Sequence, residues 1–515
     1  MTHQNAAFSS EIQRERWSSP WLPLLPFVLF ALFVALNPVG FIGGDADDFQ
    51  YLEAARCWLE NGVCLPRDHW QGRWPIIAPL AGVISLMGEA RWTVAIPTLV
   101  ASLACLMLVN FLGTRLFDKN SGRLASALLA VSPVFVLQAL DPNVDSIELA
   151  LILAGFAAMA AGRDDGRMSW PALCGLCFGL ALQVRETAFA TAPTALVAFA
   201  LVYPIRSGWK PWIIAGAGFV FPFIVEALVY TIQTGDPLWR RRLSLGHTRL
   251  STTELQGRSH VAGLPFFNRE LIENWRHEPG LSIHWAIDGL LNLIVNPRTG
   301  GLLILLPFLY AMCRHFLAEL QLRMVRYLML AAVIQASVLI YVFAIDPKPR
   351  MMLPALVAGA LALSPMLAAL MRRRPAFASL LLASLTLISA ANILAGYRSD
   401  KADVTYTQWI GQNGGQMETA RQTQRRLVFV DGEEQLAPMT SDRPLLLLQV
   451  NNSCSGWLDE VGIDQRWLPV VRSASLGTYP DWLVERQAHL CIYRYGDPRA
   501  DGALRRALGV KEFTF

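Results

Sequence analysis

The sequence predicts an all-α polytopic membrane bundle of about eleven transmembrane helices, followed by a small α/β domain. Three observations predict it. The 515 residues are 53% hydrophobic and only 16% charged, with a mean hydropathy of +0.36, whereas an average soluble domain carries roughly 25% charged residues. Apolar runs recur at the length of roughly 20 residues that a helix needs to cross a bilayer core. The charged residues gather between those runs. This composition excludes a soluble enzyme and a disordered chain. The net charge of +4 is spread without a basic domain, which excludes a nucleic-acid binder.

The eleven runs lie near 21–41, 92–113, 123–140, 146–162, 170–186, 188–205, 211–231, 299–313, 325–345, 351–371 and 376–396. The stretch 75–88 is apolar but short. It reads as a helix lying at the interface or dipping into it, because a full crossing would break the charge alternation of the loops. One set of loops carries fifteen basic residues: Arg14, Arg16, Arg115, Lys119, Arg123, Arg163, Arg167, Arg206, Lys210, Arg314, Arg323, Arg326, Arg372, Arg373 and Arg374. The opposite short loops carry seven, Arg56, Arg67, Arg73, Arg91, Arg185, Lys348 and Arg350, together with Asp45, Asp47, Asp48, Asp141 and Asp145. The positive-inside bias therefore places the N-terminus in the cytoplasm, and eleven spans place the C-terminal part outside. The first run reads as a retained anchor, since no small-x-small cleavage pattern follows it.

Residues 1–396 form the expected membrane domain, with long outer loops at 42–91 and 232–298. Residues 397–515 form the expected extracytoplasmic domain. There Leu427–Val430, Leu445–Val450 and Cys491–Tyr495 read as strands and Asp481–His489 as a helix. Cys57 with Cys64, and Cys454 with Cys491, share compartments in which disulfides persist; the alternative is free thiols. Cys105, Cys174, Cys177 and Cys313 fall inside spans and read as buried thiols.

Four polar features can carry chemistry. Gly44-Asp45-Ala46-Asp47-Asp48-Phe49-Gln50-Tyr51 follows the first span. Asp47 and Tyr51 share a helix face, and a carboxylate beside lipid is disposed to take a proton. The three carboxylates equally suit a plain outer loop. Asp141-Pro142-Asn143-Val144-Asp145 is a second acidic site, or the cap of the following span. Arg240, Arg241 and Arg242 form a basic run whose forks match phosphate oxygens or anionic head groups in general. Lys348 and Arg350, in Asp346-Pro347-Lys348-Pro349-Arg350, could also reach a phosphate or simply snorkel. A further pair, Arg185-Glu186, either faces a cavity or pairs internally.

These residues resemble the integral-membrane glycosyltransferases of the GT-C fold, the group of protein O-mannosyltransferases, the aminoarabinose transferase of lipid A and lipopolysaccharide-core sugar transferases. The family places Asp-Glu/Asp-x-x-Tyr in its first outer loop, and Asp47-Asp48-Phe49-Gln50-Tyr51 matches that spacing. Trp74-Pro75 to Met87-Gly88 is similar to its interfacial helix. Arg115-Leu116-Phe117, Ser132-Pro133, Thr234-Gly235-Asp236-Pro237 and Pro349-Arg350-Met351-Met352-Leu353-Pro354 are further similarities. The resemblance covers roughly residues 20–370; Met351 stands where the family has a tyrosine.

The resemblance implies an inverting sugar transfer from a polyprenyl-phosphate donor to a glycolipid, polysaccharide or protein acceptor at the outer face. Asp47 would be the general base, with Asp48, Asp45 and Asp145 orienting the acceptor. Tyr51 and Arg185 would position substrate. Arg350, Lys348 and Arg240 to Arg242 would hold the departing lipid phosphate. No cofactor is expected; a divalent metal at Asp45, Asp47 and Asp48 is the less favoured alternative. The expected partners are these substrates and membrane lipids, with no nucleic acid. The expected location is the bacterial inner (plasma) membrane. The competing classes are a lipid or oligosaccharide transporter or flippase, and a non-catalytic subunit of envelope-polysaccharide assembly.

Overall fold

The computed structural model describes residues 22–36, 46–88, 91–140, 142–243, 283–299, 301–343 and 348–412, together with five short strands beyond them. Side chains at 46–49 and after Ile393 lie outside the described residues. The helices used below are α1 (Leu25–Leu36), α2 (Ala46–Asn61), α3 (Trp74–Met87), α4 (Ile96–Leu116), α5 (Lys119–Ala130), α6 (Pro133–Leu140), α7 (Val144–Asp165) and α8 (Ser169–Val184). They continue as α9 (Ala192–Val202), α10 (Lys210–Thr234), α11 (Trp285–Val295), α12 (Leu302–Cys313), α13 (Glu319–Ser337), α14 (Leu353–Arg373) and α15 (Pro375–Gln412).

Among the described residues, six helices are long and apolar enough to cross a membrane, and the bent pair α5–α6 makes a seventh. Shorter apolar helices occupy most of the remaining expected runs. The protein is a multi-pass integral membrane protein. Burial separates the helices by position. In α14, 89% of the apolar window is buried, against 6% in α10, so α14 is the central post and α10 a peripheral helix. Around α14 pack Leu106 and Val109 of α4, Leu128 and Leu129 of α5, Leu309 of α12 and Val325 of α13, all but fully buried.

Local chemistry sets the breaks. Asp118 caps α5 by accepting from Ser121 N at 2.8 Å. Pro133 cannot continue the hydrogen-bond ladder, and the chain bends 69° between α5 and α6, where the sequence predicts one straight span over 123–140. Helix α10 ends at Gly235, whose φ of 73° is the left-handed conformation that favours glycine. Helices α8 and α10 approach closely: a Cβ added at Gly175 would run into the Ala215 carbonyl. Within the loop expected at 232–298, α11 is an additional helix. His284 caps it, and Asp288 accepts from the Ile283 and His284 amides at 2.8 Å each.

The described residues divide into two units. One holds α1 and the chain from Gln50 to Ile393; the other holds the start of α2 and the chain from Leu394. Helix α15 runs unbroken through position 396, the expected domain boundary. In the second unit, β1 (Gln416–Thr419), β2 (Arg426–Phe429), β3 (Pro444–Leu448), β4 (Asp464–Leu468) and β5 (Ala488–Arg494) form one antiparallel sheet of order β1-β2-β3-β5-β4. Leu446 pairs with Val428 on one side and Ile492 on the other. Strands β2, β3 and β5 fall where the sequence predicts strands. Ala488 and His489, read as the end of a helix, instead open β5. Their residues continue the two-residue alternation with Leu490 and Ile492, which is the strand period. Residues 481–487 lie outside the described residues.

Candidate active site

A buried polar cluster lies where α7 begins and α8 ends. Asn143 caps α7, accepting from Val144 N through Oδ1, and its amide donates to Gln138 Oε1 at 3.0 Å. This puts Asp145 in the first turn of the helix, where the dipole favours an anion. Asp145 is 3% exposed. Its Oδ1 accepts from Arg185 Nη1 at 2.5 Å, while Oδ2 has no hydrogen-bond partner among the described residues. Arg185 reaches it because the chain leaves α8 in an extended conformation, φ −161° and ψ 138°. Arg185 and Glu186 therefore do not pair with each other; Glu186 turns to Arg240.

Glu148 lies one turn further along the same face of α7. It is buried and accepts from Thr187 Oγ1 at 2.9 Å. It also feels the charges of Arg185, Asp145 and Arg73. Arg73, at the N-terminus of α3, is buried and donates to the hydroxyl of Tyr51 on α2. Its guanidinium carbon stands 5.9 Å from the Tyr51 ring centre. Tyr51 is fully buried. The sequence reading missed Glu148, Glu226 and Gln183 as site residues, although each interrupts an apolar span, and such interruptions mark functional candidates.

Arg240 joins four segments. Its Nη1 donates to Glu226 Oε1 of α10 at 3.1 Å and to the Gly72 carbonyl before α3 at 3.4 Å. Its Nη2 donates to the Gln183 carbonyl at 2.8 Å and Glu186 Oε1 at 3.5 Å. The guanidinium expected to hold a phosphate is thus an internal brace. Arg242 pairs with Asp236 at 2.8 Å; Arg241 is exposed. Two neighbours extend the brace: Trp239 Nε1 donates to the Pro66 carbonyl at 3.1 Å and Gln233 Nε2 to the Val63 carbonyl at 2.8 Å. In the same loop, Gln71 Nε2 donates to Gln50 Oε1 of α2 at 3.0 Å.

A disulfide joins Cys57 and Cys64, with Cα atoms 6.0 Å apart, and closes the start of that loop. Alkylation of the denatured, unreduced protein is expected to leave these two thiols unlabelled. Reduction before alkylation should then add two labels, read by peptide mass spectrometry. Cys105, Cys174, Cys177 and Cys313 are free and buried. Cys454, Asp45 and Asp141 lie outside the described residues, as does the side chain of Cys491.

Asp47 and Asp48 occupy the first turn of α2, with side chains outside the described residues. Lys348 and Arg350 are half-buried around Pro349. The 3-10 turn Pro349–Met352 packs against α6 and α14, and both cations take part in polar or electrostatic contacts. Among the described residues, no three carboxylate, imidazole or thiol groups converge in the manner of metal ligands.

Residues 76–230, from α3 to α10, match the family described as dolichyl-phosphate-mannose-protein mannosyltransferase. The resemblance to the GT-C membrane glycosyltransferases is borne out. The "Putative mannosyltransferase YycA" of Bacillus subtilis (strain 168) is 26% identical over 135 residues, which are 26% of this chain and 19% of that protein. The match thus spans about a fifth of the relative's length. Among solved structures, ArnT from Cupriavidus metallidurans bound to undecaprenyl phosphate aligns with a TM-score of 0.46 and 17% identity, covering 77% of this chain and 70% of that one. The oligosaccharyltransferase AglB from Archaeoglobus fulgidus, in complex with an inhibitory peptide and a dolichol-phosphate, aligns with a TM-score of 0.44 and 13% identity over 77% of this chain and 60% of that one. The matched family segment contains Asp145, Glu148 and Arg185 but stops short of Arg240.

Proposed function

We propose that the protein transfers a sugar from a polyprenyl-phosphate donor to a glycolipid, polysaccharide or protein acceptor at the outer face of the membrane, with inversion at the anomeric carbon. The observation that carries this reading is the coincidence of the family match at 76–230 with the buried carboxylate cluster of α7. Such a cluster inside an apolar bundle is costly unless it serves chemistry. Its position at one end of α7, away from mid-helix, supports surface chemistry over transport.

In this reading Asp47 takes the proton from the acceptor hydroxyl as the oxygen attacks the anomeric carbon. The glycosidic bond to the phosphate breaks, and the lipid phosphate leaves. Asp145, held through Oδ1 by Arg185, offers Oδ2 to an acceptor or sugar hydroxyl. Asp45 and Asp48 orient the acceptor. Tyr51, fixed by Arg73, and Arg185 position substrate. Lys348, Arg350 and Arg241 stabilise charge developing on the departing phosphate, whereas Arg240 and Arg242 hold the scaffold.

Mass spectrometry of envelope glycolipids and glycans, with and without the gene, tests the activity. The expected result is the loss of one sugar from one class of molecule, restored by the wild-type gene. Asp47→Asn is expected to cut transfer by about 10²- to 10⁴-fold, the weight of a general base, while membrane insertion is unchanged. Chelation with EDTA is expected to leave transfer intact. An unaltered envelope in the deletion strain would refute the reading, and full activity of Asp47→Asn would remove Asp47 as the base.

A further inference from the structure

At the end of the α5–α6 span remote from Asp145, α1, α5, α14 and α15 line an open cavity of about 210 Å³. Its walls include Leu25 and Leu29 of α1, Leu124 and Leu128 of α5, and Leu382 and Leu385 of α15. Engineered apolar cavities of comparable size, about 150 Å³, stay dry and take apolar guests. One lining residue breaks the pattern. Arg123 is half-buried in the cavity wall, and among the described residues it has neither an ion pair nor a hydrogen bond from its side chain. Asn120, one turn before it, lines the same cavity.

The surroundings add charge of the same sign. Lys119 opens α5. Met371 in the cavity wall is followed by Arg372, Arg373 and Arg374, all exposed. An apolar slot with a guanidinium in its wall and a cationic rim is complementary to a molecule with a hydrocarbon tail and a phosphate head. A half-buried cation in an apolar wall gains from an anionic partner, and a lipid phosphate at this rim would supply one. On the orientation read from the loop charges, this end faces the cytoplasmic leaflet, where anionic lipids attract basic side chains.

We infer that this cavity is a binding site for an anionic phospholipid, with one acyl chain between α1, α5 and α15 and the phosphate on Arg123. The site is independent of the transfer chemistry and is tested without turnover. The full-length protein in detergent is delipidated and titrated with phosphatidylglycerol or phosphatidylcholine of identical chains, and bound lipid is counted by native mass spectrometry. The expected result is a retained phosphatidylglycerol at lower lipid concentration than phosphatidylcholine. Arg123→Gln is expected to weaken that preference about fivefold, the weight of one basic side chain against an anionic lipid surface. Ala127→Trp, which fills the slot, is expected to remove the retained lipid of both kinds. Circular dichroism of both variants checks that they fold, and Arg123→Lys should restore part of the preference if Arg123→Gln is merely unstable. Equal retention of the two lipids, or no response to Arg123→Gln in a folded protein, would show an annular lipid only and overturn the assignment.

Discussion

Replacing Arg240 with alanine is expected to lower stability by about 3–5 kcal/mol, because it leaves a buried carboxylate without its partner. The side chain of Glu226 is 9% exposed and that of Arg240 13%. Glu226 lies on α10 and Arg240 in the turn that follows Gly235, and at this burial water replaces the lost guanidinium poorly. Glu226 would retain the Gln183 amide, at 3.4 Å, which carries no charge. The same change strips a donor from the Gly72 and Gln183 carbonyls. It therefore unties the α3 approach from α8 and α10 together. The measurement is the thermal unfolding midpoint of the purified protein in detergent. Two companions define the cause. Arg240→Lys keeps the charge but cannot bridge four segments with one fork, so an intermediate midpoint is expected. Arg240→Met with Glu226→Gln removes both charges and should recover most of the loss. A midpoint for Arg240→Ala equal to wild type would show that the brace has no energetic weight.

The dependence of Arg240 on partners far along the chain also explains which parts of the structure the sequence reveals. Helices are legible because an apolar run of bilayer length has few alternatives to a buried helix, and α4, α7, α10 and α14 overlap the predicted runs with ends displaced by a few residues. The acidic site at Asp145 is legible because Asp141 and Asp145 flank the start of a span, but the cap expected of one of these acids is Asn143, and Asp145 turns to Arg185. Pairings are not. Arg185 meets Asp145 across 40 positions and Arg240 meets Gln183 across 57, and no local pattern encodes either contact. A run of three arginines looks like one basic patch. The helical turn after Gly235 instead sends Arg240 inward to Glu226 and Arg242 back to Asp236, and leaves Arg241 outside. Glu148 was legible in principle, since it stands three residues after Asp145 in an otherwise apolar helix. The 69° bend was signalled by Ser132-Pro133, yet hydropathy alone reads through a proline.

Asp145 and Arg185 allow stability and chemistry to be separated. Arg185→Gln strands a carboxylate that is 1% exposed, and a loss of about 3–5 kcal/mol is expected from that stranded charge. Asp145→Asn leaves Arg185 near Glu148, which still interacts with it, so a smaller loss of stability is expected. Transfer in that variant should nonetheless fall by about 10²- to 10³-fold, the typical weight of one preorganised electrostatic group at a reacting centre. The double variant Asp145→Asn with Arg185→Gln removes both charges. Its unfolding midpoint is expected to return toward wild type, because no buried charge is left alone, with Glu148 still held by Thr187 and facing Arg73. Its activity is expected to stay low. If the pair were only a structural clasp, repairing the charge balance would restore both quantities together. A folded double variant with wild-type transfer would therefore remove Asp145 from the chemistry. A folded but inactive one, together with the loss of transfer in Asp145→Asn alone, would support a role at the substrate for the Asp145 Oδ2, which has no hydrogen-bond partner among the described residues.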